Sequence, residues 1–154
     1  MIKLVVPQFE ELSFRQELLA DEETMSYNHD WGGTIDWPRE KWADWYRLWV
    51  ENGDGKRFYR YLAAEDGTFV GETAYHRDEE EKKFLADVIV HARFRGRGYG
   101  KSALRLLCAA AKERGVKKLY DDIASDNPAI KLFLDCGFTE EARTEEIVWL
   151  KKRL

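Results

Sequence analysis

Between Val88 and Leu107 the chain reads Val-Ile-Val-His-Ala-Arg-Phe-Arg-Gly-Arg-Gly-Tyr-Gly-Lys-Ser-Ala-Leu-Arg-Leu-Leu, and no other stretch constrains the fold as strongly. An apolar strand runs into a loop carrying Gly96, Gly98 and Gly100, and the loop opens directly onto a helix. Glycines at this spacing let backbone N–H groups approach an anion without Cβ interference. The helix that follows adds the positive end of its dipole. Residues 91–105 hold five basic side chains (Arg93, Arg95, Arg97, Lys101, Arg105) and no acidic one, although the whole chain carries a formal charge of −4. A cationic island in an acidic protein reads as a phosphate site.

The rest of the chain supplies a frame for that unit. Its 154 residues match one domain, and 44% hydrophobic with 14% aromatic content is too much for a disordered chain. Leu4 to Pro7 predicts a short strand and Phe9 to Leu19 a helix. Residues 21–37, broken by Gly32-Gly33, predict mostly loop. Pro38 opens a helix with Trp42, Trp45, Tyr46 and Trp49 at i, i+3, i+4, i+7. Strand-like runs over Arg57 to Ala64 and Thr68 to His76 flank Asp66-Gly67, a hairpin signal. A third strand follows over Phe84 to Val90. Gly98 to Arg114 is a long helix closed by Gly115. Val116 to Ile123 suits a strand, Pro128 to Asp135 a short helix, and Phe138 to Leu150 one or two final strands. Interleaved helices and strands predict an α/β (α+β) fold in a single domain over residues 1–154.

Composition excludes several roles. A net negative charge argues against nucleic-acid binding, which requires a basic face. No apolar run approaches the roughly 20 residues of a membrane span, and Met1 to Pro7 is too short for a signal peptide. Cys108 and Cys136 stand alone, so neither a disulfide framework nor a zinc site is indicated. A cytoplasmic protein with no metal, no nucleic-acid partner and no membrane is expected.

Two familiar phosphate loops fail by inspection. The nucleotide loop that ends in Gly-Lys-Ser needs a glycine at Arg95, and the dinucleotide fingerprint needs its third glycine at Lys101. What fits is Arg95-x-x-Gly98-x-Gly100 after an apolar strand, followed by a second motif, Ser125-Asp-Asn-Pro-Ala-Ile-Lys-Leu-Phe-Leu-Asp-Cys-Gly-Phe138. Together these resemble the GNAT superfamily of N-acetyltransferases over residues 84–138. The resemblance implies a mixed, largely antiparallel sheet of six or seven strands flanked by about four helices. It also implies acetyl-CoA as co-substrate and transfer of its acetyl group to an amine of a small molecule or peptide, by direct attack in a ternary complex. Val88, Ile89 and Val90 would offer backbone groups to the pantetheine arm, and an amide near Ile89 or Val90 would hold the thioester oxygen. Gly96, Arg97, Gly98, Tyr99, Gly100 and Lys101 would cradle the pyrophosphate, with Arg95 leading the motif.

Two positions depart from the family pattern. Asp126 stands where many members place a cofactor-contacting Asn, with Asn127 one residue later. Phe133 stands where many place a Tyr that protonates the departing thiolate, and Phe cannot donate a proton. A thiol pKa near 8.5 still makes thiolate a tolerable leaving group. Tyr120, or water, would serve if an acid is needed.

Amine acetylation needs a group that accepts the amine proton. The candidates are Glu72, Asp87, Asp121 and Asp122. Adjacent acids inside a strand are uncommon, because Asp is depleted there, which singles out Asp121 and Asp122. For each, a strand-end charge is the competing explanation. His76 and His91 titrate in the useful range. Tyr27, Trp31 and Trp37, interspersed with His29, Asp30 and Asp36, fit the recognition of a cationic acceptor, against simple packing between helices. The absence of an acid at Phe133 also fits a non-catalytic acyl-CoA-binding or sensor module, and exposed strands at the sheet edge fit a homodimer.

Overall fold

Alternation between two buried faces organises the molecule. Along the second strand Phe58 joins one apolar cluster while Tyr59 and Tyr61 join another on the opposite side. The computed structural model describes the backbone of residues 1–154 and every side chain except those of residues 29–31. Seven strands form one sheet: β1 (Ile2–Val5), β2 (Arg57–Ala64), β3 (Phe69–Asp78), β4 (Lys83–Val90), β5 (Lys118–Ala124), β6 (Thr139–Arg143) and β7 (Ile147–Arg153), in the order β1-β2-β3-β4-β5-β7-β6. All neighbours are antiparallel except β4 and β5. Four α-helices cover it: α1 (Leu12–Ala20), α2 (Trp42–Tyr46), α3 (Tyr99–Glu113) and α4 (Ala129–Asp135). This is the mixed sheet with four helices that the family resemblance implies.

Helix α3 buries Leu104, Leu107, Cys108 and Ala111 against β5, α4 and β7. Its end follows the expected left-handed cap. Gly115 has φ 86°, its amide bonds Lys112, and the Val116 amide reaches Ala111 at 3.0 Å.

The other face carries the aromatic cluster. Trp42 is buried and Trp45, Tyr46 and Trp49 pack around it, with Trp45 and Trp49 stacked at 6.1 Å. The spacing predicts this face, although α2 lasts only to Tyr46 and then widens into a π-helical turn over Arg47–Glu51. The predicted loop over residues 21–37 contains a 3-10 helix, Thr24–Trp31. Asp21 starts it by accepting the Thr24 amide at 2.9 Å and the Thr24 hydroxyl at 2.6 Å.

At the sheet's far edge all five residues of β6 are exposed. Its register slips between Glu140 and Ala142, and Arg143 folds back onto Glu140 at 2.7 Å. Among the described residues no helix is long and apolar enough to cross a membrane.

Candidate active site

The parallel ladder between β4 and β5 is one pair long, Leu85 opposite Tyr120. Beyond it the strands diverge. The gap between them, lined by Phe133 and Leu132, by Val88 to Val90, and by Ile123, Ala124, Asp126 and Asn127, is the mouth of a cleft of about 890 Å³.

The glycine loop closes one end. Gly98 sits at φ 80° just before α3, a conformation that Cβ-bearing residues avoid. The first intrahelical bond runs from the Ser102 amide to the Gly98 carbonyl at 3.2 Å. The amides of Tyr99, Gly100 and Lys101 precede it and have no carbonyl within the helix. Gly100 lies against Leu132, whose Cδ1 is 2.8 Å from where a Cβ would stand. Amides and a cationic loop at the end of a long helix fit a phosphate-bearing ligand.

The cofactor candidates divide by what their side chains do. Val88, Ile89, Val90, Arg95, Gly96, Gly98, Tyr99, Gly100, Lys101, Asp126, Asn127 and Phe133 all line the cleft, whereas Arg97 is exposed beside Phe94 and does not. Arg95 turns back rather than inward, donating to the carbonyls of Glu23 and Thr24 at 3.4 and 2.7 Å. Thr24, fully buried, accepts the Ala92 amide at 2.9 Å. These contacts pin the 3-10 segment onto the loop. Lys101 meets Asp135 at 3.4 Å, and Lys131 meets it at 3.0 Å. Asn127 spends its carbonyl oxygen on the Ala129 amide at 2.9 Å. Phe133 is 3% exposed and packs edge-on against Phe138.

The acidic candidates separate in the same way. Asp87, Asp121 and Asp122 line the cleft, with Tyr27 and Asn28 beside them. Asp87 is open to the cleft yet walled by protein. Desolvation, with the Glu72 charge adding to it, pushes its carboxyl up to about 7 against the pull of Arg15 and of a bond from the Val88 amide. Burial first, then the Asp87 charge, raises Asp121 well above the usual range. Asp122 is exposed, and it rises through desolvation opposed by Lys83. Burial and the surrounding carboxylates of Asp87, Glu72 and Asp121 raise the Tyr27 hydroxyl.

Glu72 does not line the cleft. It is 2% exposed, 3.1 Å from Arg15 Nε and hydrogen-bonded by the Tyr59 hydroxyl. Trp37 is equally removed, buried against Trp42, Trp45 and Arg15. Trp31 lies outside the described residues. Tyr120, the expected alternative acid, is off the cleft with the Lys83 ammonium 4.8 Å above its ring. His91 is buried and accepts the Arg93 amide through Nδ1, and His76 packs against Trp49. Among the described residues no group of His, Cys, Asp and Glu is arranged to hold a metal.

Sequence reasoning passed over Asn28 and Arg15. Asn28 reaches the cleft through the 3-10 helix, while Arg15 looks like one more surface cation of a helix.

Known proteins share this architecture. A model of the acetyltransferase (GNAT) family matches residues 15–138, and no curated protein matches at a significant level. Spermidine N-acetyltransferase from Vibrio cholerae, solved in complex with CoA and spermine, superimposes with a TM-score of 0.82 at 16% identity, covering 99% of this chain and 95% of its own. An N-acetyltransferase from Staphylococcus aureus Mu50 gives 0.79 at 16% identity, covering 99% and 98%. A Salmonella typhimurium protein solved with its cofactor acetyl-CoA gives 0.75 at 20% identity, covering 100% and 94%. At such identities the likeness is one of fold.

Proposed function

This chain belongs to the GNAT family of acetyltransferases, and we propose that its acceptor is a protonated amine that loses its proton to Asp87 and then attacks the acetyl group directly. Acetyl-CoA, the co-substrate, supplies that acetyl group as an activated thioester. The observation that carries the reading is an accessible carboxylate, Asp87, at the divergence of β4 and β5, in the same cleft as the glycine loop.

The parts divide the work by position. The amides of Tyr99, Gly100 and Lys101 and the neighbouring cations take the pyrophosphate, as the family pattern expects, and the open edge of β4 from Val88 to Val90 takes the pantetheine arm. An amide at Ile89 or Val90 holds the thioester oxygen. Asp87, Asp121 and Asp122 draw a cation toward the cleft, and Tyr27 offers it an aromatic face. A base whose pKa lies near the working pH is suited to take a proton from the incoming ammonium. The C–N bond forms as the C–S bond breaks, the second proton of the attacking nitrogen passes through water to the departing thiolate, and Asp87 releases the first proton to solvent. No side chain becomes acetylated. A polyamine, like the spermine of the Vibrio cholerae complex, is one acceptor of this chemistry, and a lysine-bearing peptide is another.

Thermal shifts with acetyl-CoA, CoA and ATP–magnesium, followed by thiol release across an amine panel, test the reading. Shifts with both CoA forms, none with ATP, and turnover confined to cationic amines are expected. Binding without turnover on any amine would instead favour an acyl-CoA sensor.

A further inference from the structure

Behind the cleft, on the α1 side of the sheet, lies a buried charge that the reaction as described does not use. Glu72 projects from β3 among aromatic side chains, where an unpaired carboxylate would be costly. Its counter-charge comes from α1. The Arg15 guanidinium sits in the corner of Trp37 and Trp45, whose rings meet at 75° with centroids 5.2 Å apart, 4.4 Å from each centroid and with Tyr59 at 5.9 Å. This is an aromatic cage of the kind that receives ligand cations, filled here by the chain itself. Arg15 Nε stands 3.1 Å from Glu72 Oε1 but makes no aligned hydrogen bond, so charge rather than directional bonding holds the pair.

The sheet register ties this pair to the cleft. Ala74 pairs with Asp87 and Glu72 with Ile89, which makes Glu72 and Asp87 diagonal neighbours on one face. From the next position along β3, the Thr73 hydroxyl donates to the Asp87 carbonyl at 2.9 Å. We infer that Arg15 is a positioning residue for acyl transfer, offsetting the Glu72 charge so that Asp87 is the carboxylate left to take the acceptor's proton. The inference rests on the reading of Asp87 as the base.

Among the described residues, the groups facing Asp87 are Glu72 on β3, Arg15 on α1, Tyr27 on the 3-10 helix and Asp121 on β5, with Arg15 the single cation of this set. Without it, Glu72 repels the ionised form of Asp87 unopposed, so Asp87 must hold its proton to higher pH. If Glu72 is neutralised while Arg15 stays, the unbalanced guanidinium pulls the other way. The two substitutions therefore have opposite signs, which a loss of packing cannot imitate.

The test is the pH dependence of kcat/KM with acetyl-CoA and one responsive amine, whose own ionisation is common to every variant. Arg15→Met should move the acidic limb up by about one pH unit, Glu72→Gln should move it down by a similar amount, and the double variant should return close to the parent. Arg15→Lys should restore most of the Arg15→Met shift. Should Arg15→Met fail to fold, Glu72→Gln and Arg15→Lys decide the matter by themselves. Limbs that stay put in folded, active variants while Asp87→Asn abolishes turnover would overturn the role of Arg15 and leave Asp87 as the base. An active Asp87→Asn enzyme with the parental limb would overturn both.

Discussion

Leu85 pairs with Tyr120, and no second register pair joins β4 to β5. The antiparallel neighbours on either side share eight and seven pairs, β3 with β4 and β5 with β7 respectively. The cleft is therefore a failure of pairing that the rest of the sheet holds open. Strand edges left without a partner beyond Leu85 are what an extended ligand arm would use in place of a strand.

Asp87→Asn should lower kcat about 100- to 10,000-fold, the range lost with a general base, while leaving acetyl-CoA binding within about threefold. Steady-state rates and calorimetric titration check the two halves separately. An Asp121→Asn variant that lost activity more severely than Asp87→Asn would move the base to β5.

The same substitution should change stability in a pH-dependent way. The folded pKa of Asp87 lies near 7, above the value of about 3.9 in an unfolded chain. The folded state therefore keeps a proton that the unfolded state loses, and stability contributed by this group falls as pH rises from about 4 to 7. Asp87→Asn should match the parent melting temperature at pH 4–5 and exceed it at pH 8. Because water reaches Asp87 through the cleft, the gain should be modest, a few degrees at most. Equal differences at both pH values would contradict the shift.

Gly98 and Gly100 should respond differently to alanine. At φ 80°, Gly98→Ala forces about 1–2 kcal/mol of left-handed strain and turns the following amides, so acetyl-CoA should bind at least about tenfold more weakly. Gly100 has ordinary helical geometry, and its new Cβ crowds the movable end of Leu132 while touching Val90 at ordinary contact distance. The better helix propensity of Ala offsets that contact by about 1 kcal/mol. Melting curves and cofactor affinities of the two variants should diverge accordingly.

What could be read in advance was local chemistry. The glycines at 96, 98 and 115 advertise positive φ, Asp66-Gly67 closes the β2–β3 hairpin, and the Trp42 spacing marks a buried face. What could not be read depends on partners far along the chain. Arg95 sits in the phosphate motif, yet its guanidinium is spent on carbonyls 71 and 72 residues away. Trp37 occupies an aromatic, glycine-flanked stretch that fits ligand recognition, but α1 supplies Arg15 and Gln16 to bury it. Glu72 alternates correctly for a strand, and only the folded sheet shows that its side chain ends at a guanidinium rather than in the cleft.

Phe133→Tyr should alter kcat less than about threefold. The leaving thiolate is weakly basic, with a pKa near 8.5, so a supplied proton gains little near neutral pH. The ring is also held edge-on by Phe138, 4.9 Å away. A gain of tenfold or more would show that proton delivery limits the natural enzyme.

Strand β6 ends the sheet in a way that discourages further growth. Its backbone edge is open, but the register slip at Glu140 and Ala142 twists the line of hydrogen-bonding groups out of step with any straight newcomer. Glu140, Glu141 and Arg143 would have to be stripped of water by a strand laid alongside. This border should stay monodisperse in crowded solution, and self-association, where it occurs, should be sought at another surface.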